Sequence, residues 1–167
     1  FTLIITTSFL TSCWSRREIN DLGFVIGLGI SKTESDLYSV VAQVANANAL
    51  VAEGVTGKEI YTIMKAEGLT VFDAIRNLSL LAKRRLYIAH IKSLIIHESI
   101  AKEGIGQVIG FIVQDEEVRL EMEVFISKVQ PKDIFDTPNH IGIVPGIGLS
   151  IISDNLGANN KIYISEL

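Results

Sequence analysis

Alternation of apolar and polar residues is strongest in residues 119–128, where it predicts a strand. One face carries the apolar residues Leu120, Met122, Val124 and Ile126, and the other carries Arg119, Glu121 and Glu123. A period of two places one set against a core and the other toward water. We therefore expect a half-buried strand whose glutamates form a solvated acidic stripe near Asp115, Glu116 and Glu117.

Four further segments rich in Val, Ile and Leu predict strands: 22–31, 37–46, 59–66 and 91–98. The first two flank the polar connection "KTESD" and are typical of an antiparallel hairpin. Gly27 and Gly29 suggest a dinucleotide-binding loop, but a third glycine is missing and a turn follows where a helix should begin. We interpret them as strand glycines at a bulge or a close packing contact.

The residues after the third predicted strand have the apolar period of a helix. Thr70, with Asp73 three residues later, approximates a capping box, and one helix face then carries Val71, Ile75, Leu78 and Ala82. Residues 99–114 predict helix interrupted near Gly104 and Gly106. Its expected core side is Val108, Ile109, Ile112 and Val113.

A short helix is expected at "KDIFD" (132–136), between Pro131 and Pro138, and residues 141–167 are assigned loosely as helix and then strand. The order of elements predicts an α+β fold with a mixed, mainly antiparallel sheet packed with two or three helices. We expect one domain over residues 22–167.

The N-terminal run "FTLIITTSFLTS" (1–12) is uncharged and too short to span a bilayer as a helix. Its length is that of the apolar region of a signal peptide, although no Met or basic region precedes it. A buried N-terminal strand is the alternative, but the polar residues in the run do not alternate. We expect the chain to begin within a signal peptide, with residues 13–21 as a tether.

Cys13 is the only cysteine, so no internal disulfide forms within the chain. A catalytic thiolate needs a nearby base, and His90, His97 and His140 are far away in sequence. Leu10-Thr11-Ser12-Cys13 instead resembles a bacterial lipobox, in which a cut before Cys13 leaves an N-terminal Cys that carries diacylglycerol. The sequence therefore predicts Cys13 as a lipid attachment site rather than a nucleophile.

Charge and the remaining motifs exclude several functions. A net charge of −4 argues against nucleic-acid binding. The cluster Lys83-Arg84-Arg85 is either a solvated helix end or a contact with an anionic membrane or partner. His90 and His97 would point to opposite faces of a strand, so we expect no metal site. Since no catalytic motif is present, we expect no enzyme and no cofactor beyond the lipid on Cys13.

Three segments, in order, resemble one family. "CWSRREINDLGFVIGLGISK", "GLTVFDAIRNLSLLAKRRLYIAHIKSLIIHESIAKEGI" and "QDEEVRLEMEVFISK" are similar to the N-terminal portion of the Ger(x)C family, the C-subunit lipoproteins of nutrient germinant receptors of endospore-forming bacteria. Ser15 and Glu116 depart from the family pattern, as surface or turn changes. Family members are roughly twice as long, so the resemblance implies a chain truncated at its C-terminal end.

The resemblance implies a mixed α/β fold and a non-enzymatic lipoprotein on the outer face of the spore inner membrane. It would be anchored through Cys13 and assembled with integral-membrane A and B subunits to trigger spore germination. Residues matching the family motifs, with a structural or a partner-contact role left open, are Trp14, Arg16, Arg17, Arg76, Asn77, Tyr87 and His90. The alternative is a stand-alone envelope lipoprotein that binds a small solute.

Overall fold

Six strands form one mixed sheet in the computed structural model, which describes residues 22–46, 60–82, 84–115, 118–119, 121–137 and 144–155. The strands are β1 (Leu22–Lys32), β2 (Tyr38–Ala45), β3 (Tyr61–Gly68), β4 (Arg85–Tyr87), β5 (Ser93–His97) and β6 (Glu123–Ser127). Five helices accompany them: α1 (Val71–Leu81), α2 (Glu98–Glu103), α3 (Gly106–Gln114), α4 (Pro131–Asp136) and α5 (Pro145–Asn155).

The strand order is β3-β2-β1-β5-β6, and the short β4 pairs with the first three residues of β1. β1, β2 and β3 run antiparallel through two ladders of eight residue pairs each. The pairings β1–β4, β1–β5 and β5–β6 are parallel, with three, four and five residue pairs. The antiparallel ladders thus hold most of the paired residues, which confirms the predicted class.

One face of the sheet is covered by α1, α2 and α3. Thr70 begins α1, because its hydroxyl accepts a hydrogen bond from the Asp73 amide at 3.0 Å and donates one to the Asp73 carboxylate at 2.9 Å. Val71 and Leu78 are buried as the helical period predicts, and Ala74 joins them. These side chains pack with Leu28, Ile30, Leu94, Ile96, Ile100, Val108, Ile112 and Met122 in the main core.

The opposite face is covered by α4 and α5. Phe135 of α4 is fully buried against Val41 and Ile95 in a second, smaller core. Gly27 and Gly29 permit this approach: a Cβ atom on Gly27 would lie 2.7 Å from the Phe135 ring, and one on Gly29 would meet Pro131. The β1–β2 register also shifts between Val25 and Gly27. Both parts of the strand-glycine interpretation are confirmed.

Three predictions about burial are wrong. Glu123 is not solvated but only 8% exposed, since it lies opposite the fully buried Ser93 in the β5–β6 ladder; Glu121 is exposed as expected. Val113 and Ile126 were placed in the core and are more than half exposed. Periodicity identifies an apolar face, but it does not say how far the neighbouring elements extend over it.

Candidate functional site

The predicted site residues of the N-terminal segment, Cys13, Trp14, Arg16 and Arg17, lie outside the described residues. The other four lie within them, in two different places. Arg76 and Asn77 are on α1, whereas Tyr87 ends β4 and His90 lies in the turn that follows.

Tyr87 and His90 form a ring cluster with Phe24 of β1. Phe24 and Tyr87 are register partners in the β1–β4 ladder, and their rings meet edge to face at 5.9 Å between centroids. The His90 ring lies 5.6 Å from Tyr87 and 6.3 Å from Phe24. Edge-to-face aromatic pairs of this kind stabilise packing. The cluster fastens β4 and its turn to β1.

Asn77 also has a structural contact, because its side-chain amide donates a hydrogen bond to the Glu67 carbonyl at 2.8 Å and ties α1 to β3. Arg76 is exposed and lines a shallow groove with Leu37, Leu69 and Leu80. Of the four motif residues in the described part of the chain, Arg76, Asn77 and His90 are exposed and Tyr87 is partly buried.

His90 and His97 are kept apart by the fold. His90 lies in the turn that follows β4, whereas His97 ends β5, precedes α2 and accepts a hydrogen bond from the Ser99 amide at 3.3 Å. Among the residues that the structure describes, no group of three or more His, Cys, Asp or Glu side chains is placed to hold a metal ion.

One edge of the sheet gathers the start of β1 and the end of α1. A largely apolar cleft of about 350 Å³ opens there between Gly23, Val44, Met64, Leu81 and Leu86, with Arg84 on its wall. Arg85 in β4 is the register partner of Leu22, so this exposed arginine lies beside the start of β1. Arg84 and Arg85 of the basic cluster thus lie beyond the helix end, because α1 ends at Leu81 and Arg85 belongs to β4, whereas Lys83 lies outside the described residues.

Large apolar side chains are exposed on the outer surface of α1 and in the turn before it. They lie outside the apolar face that the helical pattern predicted to be buried. Leu69, just before the helix, is 78% exposed, and Leu80 and Leu81 at its end are 76% and 63% exposed. Phe72 is also exposed and its ring contacts Phe111 of α3 at 6.1 Å between centroids. Where exposed apolar side chains form a contiguous patch, the patch often marks a surface that contacts another molecule.

A buried polar row crosses the sheet beneath α5. Gln43, Ser93 and Glu123 occupy one register level of β2, β5 and β6, with Gly27 of β1 between the first two. The Gln43 carbonyl oxygen accepts a hydrogen bond from the Gly146 amide at 2.8 Å. Within the described part of the chain, the Gln43 amide nitrogen and the Ser93 hydroxyl have no hydrogen-bond partner. Gln43 inside the apolar run "SVVAQVA" was the one sequence signal for this row.

Lys32 joins the end of β1 to α2. Its ammonium group lies 2.8 Å from the Asp36 carboxylate and 2.6 Å from that of Glu103. The hydrogen bonds to Asp36 and to Glu103 hold the pKa of Lys32 well above its usual value. The contact is a surface ion-pair network that closes the β1–β2 hairpin against the helix layer.

The chain was compared with known families and proteins. The model of the spore germination protein N-terminal domain matches residues 15–167. The chain belongs to this family. The family assignment agrees with the resemblance found in the sequence, and it extends that resemblance through the last residue of the chain.

Relatives from Bacillus subtilis (strain 168) are also spore germination proteins. The chain is 30% identical to spore germination protein KC over 70% of its length and 26% identical to spore germination protein A3 over 99%. It is 24% identical to spore germination protein B3 over 93%. These alignments span 30%, 43% and 42% of the relatives, so the chain corresponds to less than half of each. No solved structure matches the chain significantly.

Within the described residues, no helix is long and apolar enough to cross a membrane. The distinctive surfaces of the domain are the exposed apolar face of α1 and the cleft at the edge where β1 begins.

Proposed function

We propose that the protein is a lipid-anchored subunit of a nutrient germinant receptor, which acts in spore germination by assembly and not by catalysis. The observation that carries the proposal is the match of the spore germination N-terminal domain to residues 15–167. The names of the relatives, spore germination proteins A3, B3 and KC, support the same process.

The proposed anchor is Cys13. The order Leu10-Thr11-Ser12-Cys13 after an uncharged apolar run supports cleavage before Cys13 and transfer of diacylglycerol to its sulfur. Two acyl chains on one residue supply the double anchoring that a single chain does not, since each buried methylene contributes about 0.8 kcal/mol. The domain would then be held on the outer face of the spore inner membrane.

The proposed partners are the integral-membrane A and B subunits of the receptor. Arg76 and the exposed apolar side chains Leu69 and Phe72 support a contact with another protein, because they lie together on the outer side of α1 and the preceding turn. On this proposal the domain positions or stabilises the membrane subunits, and no nutrient pocket is assigned to it.

Metabolic labelling with an alkyne fatty acid tests the anchor in the complete gene product. We expect Cys13→Ala to abolish labelling and to shift the protein from the membrane fraction to the soluble fraction. Ser15→Ala is the matched control, since it changes a neighbouring polar residue and leaves Cys13 in place. Equal labelling of the Cys13→Ala variant would reject the anchor.

Co-purification from spore membranes tests the assembly. We expect the tagged protein to retain A- and B-type membrane subunits, and Arg76→Glu to reduce their recovery severalfold. Lys65→Glu is the control, because Lys65 is an exposed cation on β3 that lies outside the α1 surface. Absence of both membrane subunits from the purified wild-type protein would contradict the proposal.

A further inference from the structure

The end of the molecule at which β1 begins is close to the proposed anchor. β1, β4, β5 and β6 are mutually parallel, so their first residues share one edge of the sheet. Leu22 begins β1 about nine residues after Cys13, and that length of chain reaches at most about 30 Å. A bilayer that holds Cys13 therefore lies within this distance of the edge.

Helix α1 ends at this edge. β3 runs parallel to β1, because each is antiparallel to β2, and α1 returns along the sheet to end at Leu81. Leu80 and Leu81, 76% and 63% exposed, are thus displayed beside the point where the chain enters the fold. Exposed leucines next to basic residues are typical of surfaces that insert into the headgroup region of a bilayer.

Two arginines follow the leucines. Arg84 lines the apolar cleft with Leu81, and Arg85 is exposed beside Leu22. Arginine suits phosphate groups because its planar donors bind two oxygens at once. Asp115 lines an adjoining groove with both arginines and lowers the positive potential there. Positive charge alone is therefore not enough to hold this surface against a membrane, and the leucines and arginines have to act together.

We infer that this edge, formed by Leu80, Leu81, Arg84 and Arg85, rests on an anionic phospholipid surface. The two leucines insert among the headgroups and the two arginines contact lipid phosphates. The inference rests on the proposed anchoring through Cys13, which places the domain beside a bilayer. The inference adds an orientation, in which the C-terminal end of α1 faces the membrane. Leu69, just before the N-terminal end, then lies about 16 Å farther from the membrane than Leu80, measured along the helix axis.

The single cysteine and single tryptophan of the chain permit a direct test. The mature chain, from Cys13 onward, is coupled through the Cys13 thiol to a maleimide lipid in vesicles of phosphatidylglycerol and phosphatidylcholine. In a Trp14→Phe background, either Leu80→Trp or Leu69→Trp supplies the only indole, and brominated lipids quench an indole that reaches the bilayer. Both positions are similarly exposed leucines at opposite ends of α1, so they form a matched pair.

We expect quenching of the indole at position 80 to be at least threefold stronger than at position 69. We also expect it to fall when Arg84→Gln and Arg85→Gln are combined, whereas Lys128→Gln, a change to an exposed cation after β6, leaves it unchanged. Circular dichroism verifies that each variant is folded. Equal quenching at the two positions would overturn the orientation, and absent quenching at position 80 would assign the leucine pair to a protein partner instead.

Vesicles of neutral phosphatidylcholine test the lipid class. Weaker quenching at position 80 supports contact with anionic headgroups, and unchanged quenching would overturn that part of the inference. The chemical tether makes the experiment independent of acylation in cells. A failed fatty-acid labelling experiment would reject the anchor without changing this result, and a failed quenching experiment would leave the anchor in place.

Discussion

Gly27 shows how one residue determines the packing of a whole layer. Its missing side chain leaves room for the ring of Phe135, which is buried completely against β1. Gly146 at the start of α5 approaches the same strand, since a Cβ atom there would lie 3.2 Å from the Gly27 Cα. Both helices of this layer thus depend on the small size of strand and helix glycines.

We predict that Gly27→Ala destabilises the protein by about 1–3 kcal/mol, the usual cost of overpacking, because the new methyl group would lie 2.7 Å from the Phe135 ring. Urea denaturation measures the change in the free energy of unfolding. Gly110→Ala is the control: it lies in α3 with open space around it and should stabilise the helix by up to about 1 kcal/mol. Equal stability of Gly27→Ala and the parent would contradict the packing argument.

The side-chain oxygen of Gln43 holds α5 on the sheet, because it accepts the hydrogen bond from the Gly146 amide. We predict that Gln43→Leu leaves the buried Gly146 amide unpaired, which costs about 1–3 kcal/mol, and that removal of the Gln43 amide nitrogen, unpaired among the described residues, offsets part of this cost. Hydrogen exchange measured by mass spectrometry should show lost protection in α5 and unchanged protection in α1. Unchanged exchange in α5 would show that this hydrogen bond does not hold the helix.

At the scale of elements, the Tyr61 hydroxyl joins β3 to α4. The Tyr61 hydroxyl lies 3.4 Å from the Phe135 carbonyl, and burial, aided by the charge of Asp136, raises the pKa of Tyr61. Because the pKa is raised in the folded state, the neutral Tyr61 hydroxyl contributes fully to the free energy of unfolding below the unfolded pKa of about 10. This contribution is lost as the pH rises through the folded pKa.

We therefore predict that the protein loses stability more steeply above pH 10 than its Tyr61→Phe variant does. Urea denaturation at pH 8, 10 and 11 measures the difference. Tyr87→Phe is the control, since it removes the hydroxyl of a half-buried tyrosine elsewhere in the sheet. The prediction fails if the parent and Tyr61→Phe have the same pH dependence.

At the scale of the whole molecule, one sheet is shared by two cores. β1 contributes Leu28 and Ile30 to the larger core, and its glycines receive Phe135 of the smaller one. Loss of α4 and α5 would expose Val41 and Ile95 on the strands that also support α1. The two helix layers should therefore depend on each other.

We predict a single cooperative unfolding transition in urea. Far-UV circular dichroism, which follows the helices, and near-UV circular dichroism, which follows the packed tyrosines, should have the same midpoint and slope. Two separated midpoints would show that the layer of α4 and α5 unfolds on its own.

The sequence by itself determined most elements, the α+β class and the family. The β1–β2 hairpin, the strands at 59–66 and 91–98, and the helices after Thr70 and around Gly104 were all predicted within a few residues. These features are encoded locally, in the period of apolar residues, in a capping threonine and in glycine breaks. The family was recognisable because three motifs occur in a fixed order.

The tertiary structure alone decided which segments meet. Parallel pairing of β1 with β4 and β5 joins residues 63 and 66 positions apart, and no local period encodes such pairing. The pairing of β1 with β4 brings Leu22 beside Arg85, and the further parallel pairing of β5 with β6 buries Glu123 beside Ser93. The surface that we infer to face the membrane exists only after the sheet has formed, because its leucines, its arginines and the entry of the chain come from different elements.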